Sequence, residues 1–183
     1  MGTVMKTLKL SGMLLFDLKK YKDDRGFFLE TYQRVRYSEA GISETFVQDN
    51  LSMSSRGVLR GLHYQIENPQ GKLVTVLQGS VYDVVVDLRK DSSTFGEWLG
   101  IELSSENGKQ LFVPLGFAHG FLSLEDNTLF SYKCTDFYNP LSERTLLWND
   151  PTINIDWPIK GIDPVVSAKD KDGKLLSELE VYE

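Results

Sequence analysis

Cysteine occurs once in the 183-residue chain, at Cys134, so no intrachain disulfide can form. A chain of this length buries roughly 70% of the surface its unfolded form exposes and needs no such staple. Basic charge is in deficit, with 20 Lys and Arg against 26 Asp and Glu and a net charge of −6. That leaves no global basic footprint for nucleic acid or an anionic membrane, and an anionic ligand would have to meet a local basic pocket. No stretch approaches the ~20 apolar residues of a membrane span. The opening MGTVMKTLKL has no apolar core of signal-peptide length, and Met5 offers an alternative start. A reduced, cytoplasmic setting is the expectation. Apolar residues at 41% and charged residues at 25% are ordinary globular values, which exclude a wholly disordered chain, a collagen and a coiled coil. Glycine and proline are scattered and form no linker, and there is no internal repeat. The expectation is one domain over residues 1–183.

Helical periodicity is also scarce. Only Arg34–Gly41 reads as a short helix stopped by glycine, and Asp170–Glu180 reads as a second one or an irregular tail. From Leu8 to Asp156 the chain alternates short β-like runs with turn chemistry. LGIEL, QLFVP, HGFLSL and TLFSYKC are such runs, with SENGK and EDN as turns between them. LVTVL (residues 73–77) and VYDVVVD (residues 81–87) flank Gln78-Gly79-Ser80, a connection that predicts an antiparallel hairpin. Many short strands at near-regular spacing make the fold class all-β, a sandwich or barrel with few short helices.

Histidine is scarce as well, at His63 and His119 only. Gly108, five residues, Pro114, Leu115, Gly116, two residues and His119 form a turn that delivers a strand. This order resembles the second signature of the cupin superfamily, and with it a jelly-roll β-barrel is expected. Gly57, five residues, His63, Tyr64, Gln65, six residues, Lys72, six residues and Gly79 repeat the skeleton of the first signature. In metal cupins that signature carries a second His and a Glu, where this chain has Gln65 and Lys72. A protonated Lys cannot ligate and repels a cation. That leaves only His63 and His119 as ligands, and two ligands are too few for the usual 2-His-1-carboxylate or tetrahedral set, so no metal is expected.

A neutral His is a competent base near neutral pH, and a nearby ammonium stabilises negative charge developing on oxygen. Together they suit removal of a proton from carbon next to a carbonyl. Reprotonation from the opposite face would invert that carbon and needs an acid. Tyr132 shares strand parity with Phe130 and Cys134 and is a candidate, although such a tyrosine is more commonly a core or rim aromatic. Asp83 lies on the opposite strand face from Tyr82 and Val84, which makes it a buried carboxylate behind the site if that face is interior. Cys134 reads as a small buried hydrophobe.

Ordered blocks across nearly the whole chain carry a closer likeness. They include DDRGFFLE, FVQDNLSMSSRGVLRGLHYQ, QGKLV, VYDVVVDLRKDSSTFG, VPLGFAHGFLSL, YKCTDFYNP, WNDP and SAKD. In these blocks the chain resembles the dTDP-4-dehydrorhamnose 3,5-epimerases of rhamnose biosynthesis. The resemblance implies His63 as general base, Asp170 as the carboxylate orienting it, Tyr132 as general acid and Lys72 as the holder of the developing enolate. His119 would contact substrate. Arg25, Arg60 and Lys169 would meet diphosphate and its neighbours, Phe28 and Tyr138 would stack on thymine, and Glu30 would hydrogen-bond it. Gln48, Asn50 and Glu143 would supply further polar contacts. Without the motif each of these reads as a solvated surface residue or a core aromatic. The resemblance also implies a dTDP-sugar substrate, no cofactor, and a homodimer paired through barrel sheets. Arg and aromatic residues of the N-terminal strands would then reach a neighbour's pocket. Thr75 and Ser123 depart from the family pattern.

Arg60 and His63 differ in strand parity although both should face one ligand, so a bulge is expected at Gly61. Phe28 and Glu30 would share a face if their run is extended. Three other readings remain at this point. An epimerase of the same family acting only at C3 or only at C5 would carry the same motif residues. A metal-dependent cupin oxygenase is opposed by Gln65 and Lys72. A nucleotide-sugar binding module has no need for His63, Tyr132 and Asp170 together.

Overall fold

The computed structural model describes residues 4–161 and 163–183. Two antiparallel sheets face each other and give the expected jelly-roll architecture. The first contains β1 (Val4–Thr7), β2 (Leu14–Asp17), β5 (Gln48–Ser54), β7 (Lys72–Gln78), β10 (Lys109–Val113) and β12 (Thr128–Cys134), in the order β1-β2-β10-β7-β12-β5. The second contains β6 (Val58–Gln65), β8 (Ser80–Asp87), β9 (Trp98–Ser104), β11 (Phe117–Ser123) and β13 (Glu143–Thr145), in the order β13-β6-β11-β8-β9. The short β14 (Val165–Val166) lies parallel on β6. A separate hairpin pairs β3 (Tyr21–Asp23) with β4 (Gly26–Phe28).

Strand alternation places the cores. Val81 and Val85 of β8, Phe117 and Phe121 of β11, Val74 and Val76 of β7 and Phe130 of β12 meet between the sheets. The alternate residues Val84, Val86, Ala118 and Leu122 point the other way and are covered by Leu146, Ile153, Trp157 and Val166 of the C-terminal segments. The outer face of the first sheet buries Phe16, Leu73 and Phe112 under Tyr37 and Ile42. Both central sheets are thus apolar on both faces, the reason runs such as VYDVVVD lack polar alternation.

The helix expected near residue 34 forms as α1 (Arg34–Glu39). Gln33 caps its N-terminus by accepting from the Arg36 N–H at 2.8 Å. Its C-terminus closes with Gly41 N–H to Ser38 O and Ile42 N–H to Tyr37 O, a Schellman arrangement. The C-terminal region takes the irregular form, with one turn of helix, α2 (Ala168–Lys171), and a 3₁₀ turn at Leu176–Glu178.

The expected hairpin between residues 73–77 and 81–87 does not form. β7 pairs with β10 and β12, whereas β8 pairs with β11 and β9 in the other sheet. The short connection is a corner between sheets, with Gly79 at φ +76° and no room for a Cβ, which would sit 2.5 Å from Thr128 Oγ1. Each run has two buried faces, so each takes a central place with two neighbours of its own. The strand at Gly26–Phe28 also ends before Glu30, so Phe28 and Glu30 share no strand face.

Candidate active site

A cavity of about 700 Å³ opens between the two sheets. That is the size range of small-molecule sites. His63, Lys72, His119, Tyr132, Asp170, Arg60, Asn50 and Lys169 all line it. Its floor is aromatic, with Phe121 and Phe130 stacked at 4.2 Å between ring centroids.

The bulge expected at Gly61 is present. His119 stands opposite His63 and Phe121 opposite Arg60, so Gly61 and Leu62 of β6 face Gly120 alone on β11. Directly opposed residues share a sheet face, so Arg60 and His63 both turn inward, while Leu59, Leu62 and Tyr64 pack outward. Gly61 has φ +111°, and a Cβ on it would lie 2.6 Å from Gly120 Cα and 2.7 Å from His119 O. Glycine is required there by the close backbone approach.

Asp170 reaches His63 from α2. Ser167 caps that turn by accepting the Asp170 N–H at 3.1 Å, which fixes the carboxylate pointing at β6. Asp170 Oδ1 lies 2.5 Å from His63 Nε2, and Oδ2 accepts the Gly61 N–H at 3.3 Å. Burial works to raise the Asp170 carboxyl, but the His63 hydrogen bond and charge and the Gly61 N–H carry it below the usual carboxylate value. An ionised carboxylate on Nε2 makes that nitrogen the donor and leaves the lone pair on Nδ1. The bulge therefore does two things: it aims His63 and it anchors its partner.

A second His–carboxylate pair lies deeper. His119 Nε2 lies 3.0 and 2.9 Å from the two oxygens of Asp83, which is fully buried on β8 between Val81 and Val85. Burial raises the Asp83 carboxyl, opposed by His119 and Lys72. Asp83 thus stands behind His119, as its strand parity suggests. Lys72 is buried at the start of β7, with Nζ 3.4 Å from His63 O. Burial pushes its ammonium below the usual lysine range, against the pull of Cys134, Glu143 and Asp83. Tyr132 comes from β12 of the opposite sheet, and burial raises its hydroxyl above the usual tyrosine value, so it keeps its proton. Cys134 is fully buried, with Sγ 3.5 Å from Asn50 Nδ2.

The remaining predicted residues fall into two groups. Gln48, Tyr138 and Glu143 do not line the cavity but form a chain of contacts that ends on Lys169, which does. Gln48 Oε1 accepts the Tyr138 N–H at 2.9 Å, the Tyr138 hydroxyl donates to Glu143 Oε2 at 2.8 Å, and Lys169 Nζ pairs with the same oxygen at 2.5 Å. Arg25, Phe28 and Glu30 are not brought to this cavity. Arg25 pairs with Asp23 on an exposed turn, Phe28 is 70% exposed, and Glu30 pairs with Arg36 of α1. Ser167 and Ser52 also line the cavity and are not among the expected residues. Ser167 had a readable signal as the capping serine of SAKD. Ser52 had one in the alternation of Asn50, Ser52 and Ser54 along an inward strand face.

Among the described residues no group of three or more His, Cys, Asp and Glu is placed to hold a metal ion, and no helix is long and apolar enough to cross a membrane. Two histidines, each paired with a carboxylate, line one cavity inside a cupin-like barrel with a buried lysine and a protonated tyrosine, a set of groups suited to acid–base chemistry.

That class narrows by comparison with known proteins. The sequence model of the family "dTDP-4-dehydrorhamnose 3,5-epimerase" matches residues 7–178, and the chain belongs to that family. A dTDP-4-dehydrorhamnose 3,5-epimerase of Methanothermobacter thermautotrophicus is 51% identical over 174 residues, 94% of each chain. One from Pseudomonas aeruginosa is 49% identical, covering 96% of this chain and 97% of its own. The crystal structure of the dTDP-6-deoxy-D-glucose-3,5-epimerase of Legionella pneumophila, in complex with dTDP-4-keto-L-rhamnose, superposes with a TM-score of 0.95. It is 48% identical and covers 98% of this chain and 95% of that one.

Proposed function

We propose that the protein inverts C3 and C5 of dTDP-4-dehydro-6-deoxy-D-glucose, giving dTDP-4-dehydro-L-rhamnose for rhamnose biosynthesis. The observation that carries this reading is that His63 and Tyr132 line one cavity from opposite sheets. His63, oriented by Asp170, faces from β6, and Tyr132 faces from β12, with the buried Lys72 of the neighbouring β7 lining the same cavity.

His63 Nδ1 takes the proton from C3, and the electron pair of that C–H bond moves through C3–C4 onto the C4 oxygen. Lys72 holds the enolate oxygen that forms. Tyr132 then donates its proton to C3 from the other side as the C4 carbonyl re-forms, so the carbon inverts. The imidazolium and tyrosinate regain their starting states by exchange with water. C5 also flanks C4, so the same enolate site serves a second round. Each acid–base group supplies roughly 10²–10⁴-fold. His119, locked by Asp83, offers a fixed polar contact beside the ketone.

Arg60 and Lys169 meet the diphosphate, and Asn50 gives a further polar contact, a reading supported by all three lining the cavity. Tyr138 stacks on the thymine, with Glu143 and Gln48 holding it. Arg25, Phe28 and Glu30 serve the cavity of a second copy in a homodimer. What supports this is their distance from their own cavity, together with exposed Leu51 (62%) and Met53 (64%) on the edge strand β5. A cytoplasmic setting accords with the single, buried, unpaired cysteine.

The test is turnover of dTDP-4-dehydro-6-deoxy-D-glucose with the product trapped by a 4-ketoreductase and its configuration read by NMR. A dTDP-L-sugar inverted at both carbons is expected. A product inverted at one carbon only would assign the chain to single-position epimerisation.

A further inference from the structure

Strand β5 pairs with β12 so that Asn50 stands opposite Tyr132 and Ser52 opposite Phe130. Opposed residues share a face, so Asn50, Ser52 and Ser54 form an inward row of polar side chains. Two of the three are occupied within the protein. Asn50 Nδ2 donates to Cys134 Sγ at 3.5 Å, and Ser54 Oγ accepts from Arg60 Nε at 3.2 Å. Ser52 Oγ has no partner, and among the described residues it is the one buried side-chain oxygen or nitrogen in that condition. The residue opposite it is Phe130, itself stacked on Phe121, which offers no polar partner. Ser52 lines the same cavity as His63, Lys72 and Tyr132, with its Oγ covered in the free protein, so the hydroxyl meets a ligand there when the side chain turns.

A buried hydroxyl without a partner destabilises the free protein, and alanine would fill nearly the same space without that cost. No cation bonds Ser52 Oγ, and in the inward row it stands between Ser54, which Arg60 holds, and Asn50, which is paired across from Tyr132. From this we infer that Ser52 Oγ hydrogen-bonds a ring hydroxyl of the bound hexose and fixes the sugar's orientation between base and acid. The inference rests on the epimerase reading and adds a sugar-binding residue to it. A hydroxyl that both donates and accepts suits a sugar hydroxyl, which does the same.

The test compares Ser52→Ala with the parent in three measurements: thermal unfolding, calorimetric binding of dTDP, and turnover of the dTDP-4-keto-6-deoxyhexose. The parent's turnover is measured first, and its absence would overturn the epimerase reading and this inference with it. With an active parent, Ser52→Ala is expected to melt no lower, to bind dTDP within about twofold of the parent, and to lose roughly tenfold or more in kcat/KM. Unchanged turnover would overturn the inference. So would a fall in dTDP affinity matching the fall in kcat/KM, which would place the hydroxyl at the nucleotide end. A lowered melting temperature with normal turnover would make Ser52 structural and also overturn it. Ser52→Gly, which removes the same hydroxyl, is expected to show the same loss in kcat/KM whatever its effect on stability.

Discussion

His63 and Tyr132 do separable work, and substitution should separate them. Removing the base, as in His63→Ala, should abolish both solvent exchange at the sugar carbons and turnover, a loss of roughly 10²–10⁴-fold or more. Removing the acid, as in Tyr132→Phe, should leave His63 able to withdraw and return a proton on one face. Deuterium should then enter the sugar from D₂O while inverted product falls by a similar factor, and equal loss of both signals would contradict the opposed-face account. Lys72 carries a different signature. Its burial holds the ammonium below the usual lysine value, so the folded protein binds fewer protons than the unfolded chain between that lowered value and the ordinary one, and the cost of burying the charge is fully present below it. That burial weakens the fold at neutral pH, and Lys72→Met should raise Tm while abolishing turnover. A lower Tm would mean that the charge is compensated by Asp83 and Glu143 more than its burial costs. At this scale the site was largely readable. His63, Lys72, His119 and Tyr132 stand in strand runs where parity gives their direction. Asp170 stands 107 residues from His63 and was joined to it only by family resemblance, because no local pattern links residues so far apart.

The bulge in β6 and the loop after β8 are the elements whose chemistry can be tested alone. Gly61→Ala would set a Cβ against Gly120 Cα and His119 O at a position with φ +111°. It should flatten the bulge or push β11 away, uncoupling His63 from Asp170, with a large loss of kcat and a Tm lowered by several degrees. The loop after β8 is tied by Asp87, which accepts from Arg89 Nε at 2.9 Å, Arg89 Nη2 at 2.7 Å, Ser92 Oγ at 2.7 Å and Thr94 Oγ1 at 2.7 Å. Burial alone would raise this carboxyl, but the Arg89, Ser92 and Thr94 hydrogen bonds lower it to about 2. A depressed carboxyl stabilises the fold above its unfolded value near 3.8, and that contribution is lost as pH falls toward about 2. Asp87→Asn should therefore lower Tm at neutral pH and flatten its acid dependence between those values. Elements were legible where turn chemistry and apolar runs agree, as for β12 and α1. The connection at Gln78-Gly79-Ser80 was misread because a two-strand hairpin and a corner between sheets use the same short glycine turn. The discriminating sign was that both flanking runs are apolar on both faces, which marks central strands with two neighbours each.

Across the whole molecule, the cavity is built from both sheets and the C-terminal turn, while Arg25, Phe28 and Glu30 lie outside it. If these residues act on a second copy, the protein should sediment as a dimer at micromolar concentration. Leu51→Asp with Met53→Asp should then yield a folded monomer with weakened dTDP binding, and Phe28→Ala should raise KM with little change in kcat. A wild-type monomer with full activity would remove the trans-acting role. Which residues face the cavity could be argued from parity, but which protomer they serve could not, because strand patterns record burial within one chain. The most direct test of the central claim is proton NMR of dTDP-4-dehydro-6-deoxy-D-glucose with the protein in D₂O. Loss of the proton signals at both C3 and C5, abolished in His63→Ala, is the expected result. Persistence of both signals with folded wild-type protein would contradict enolate formation in this cavity.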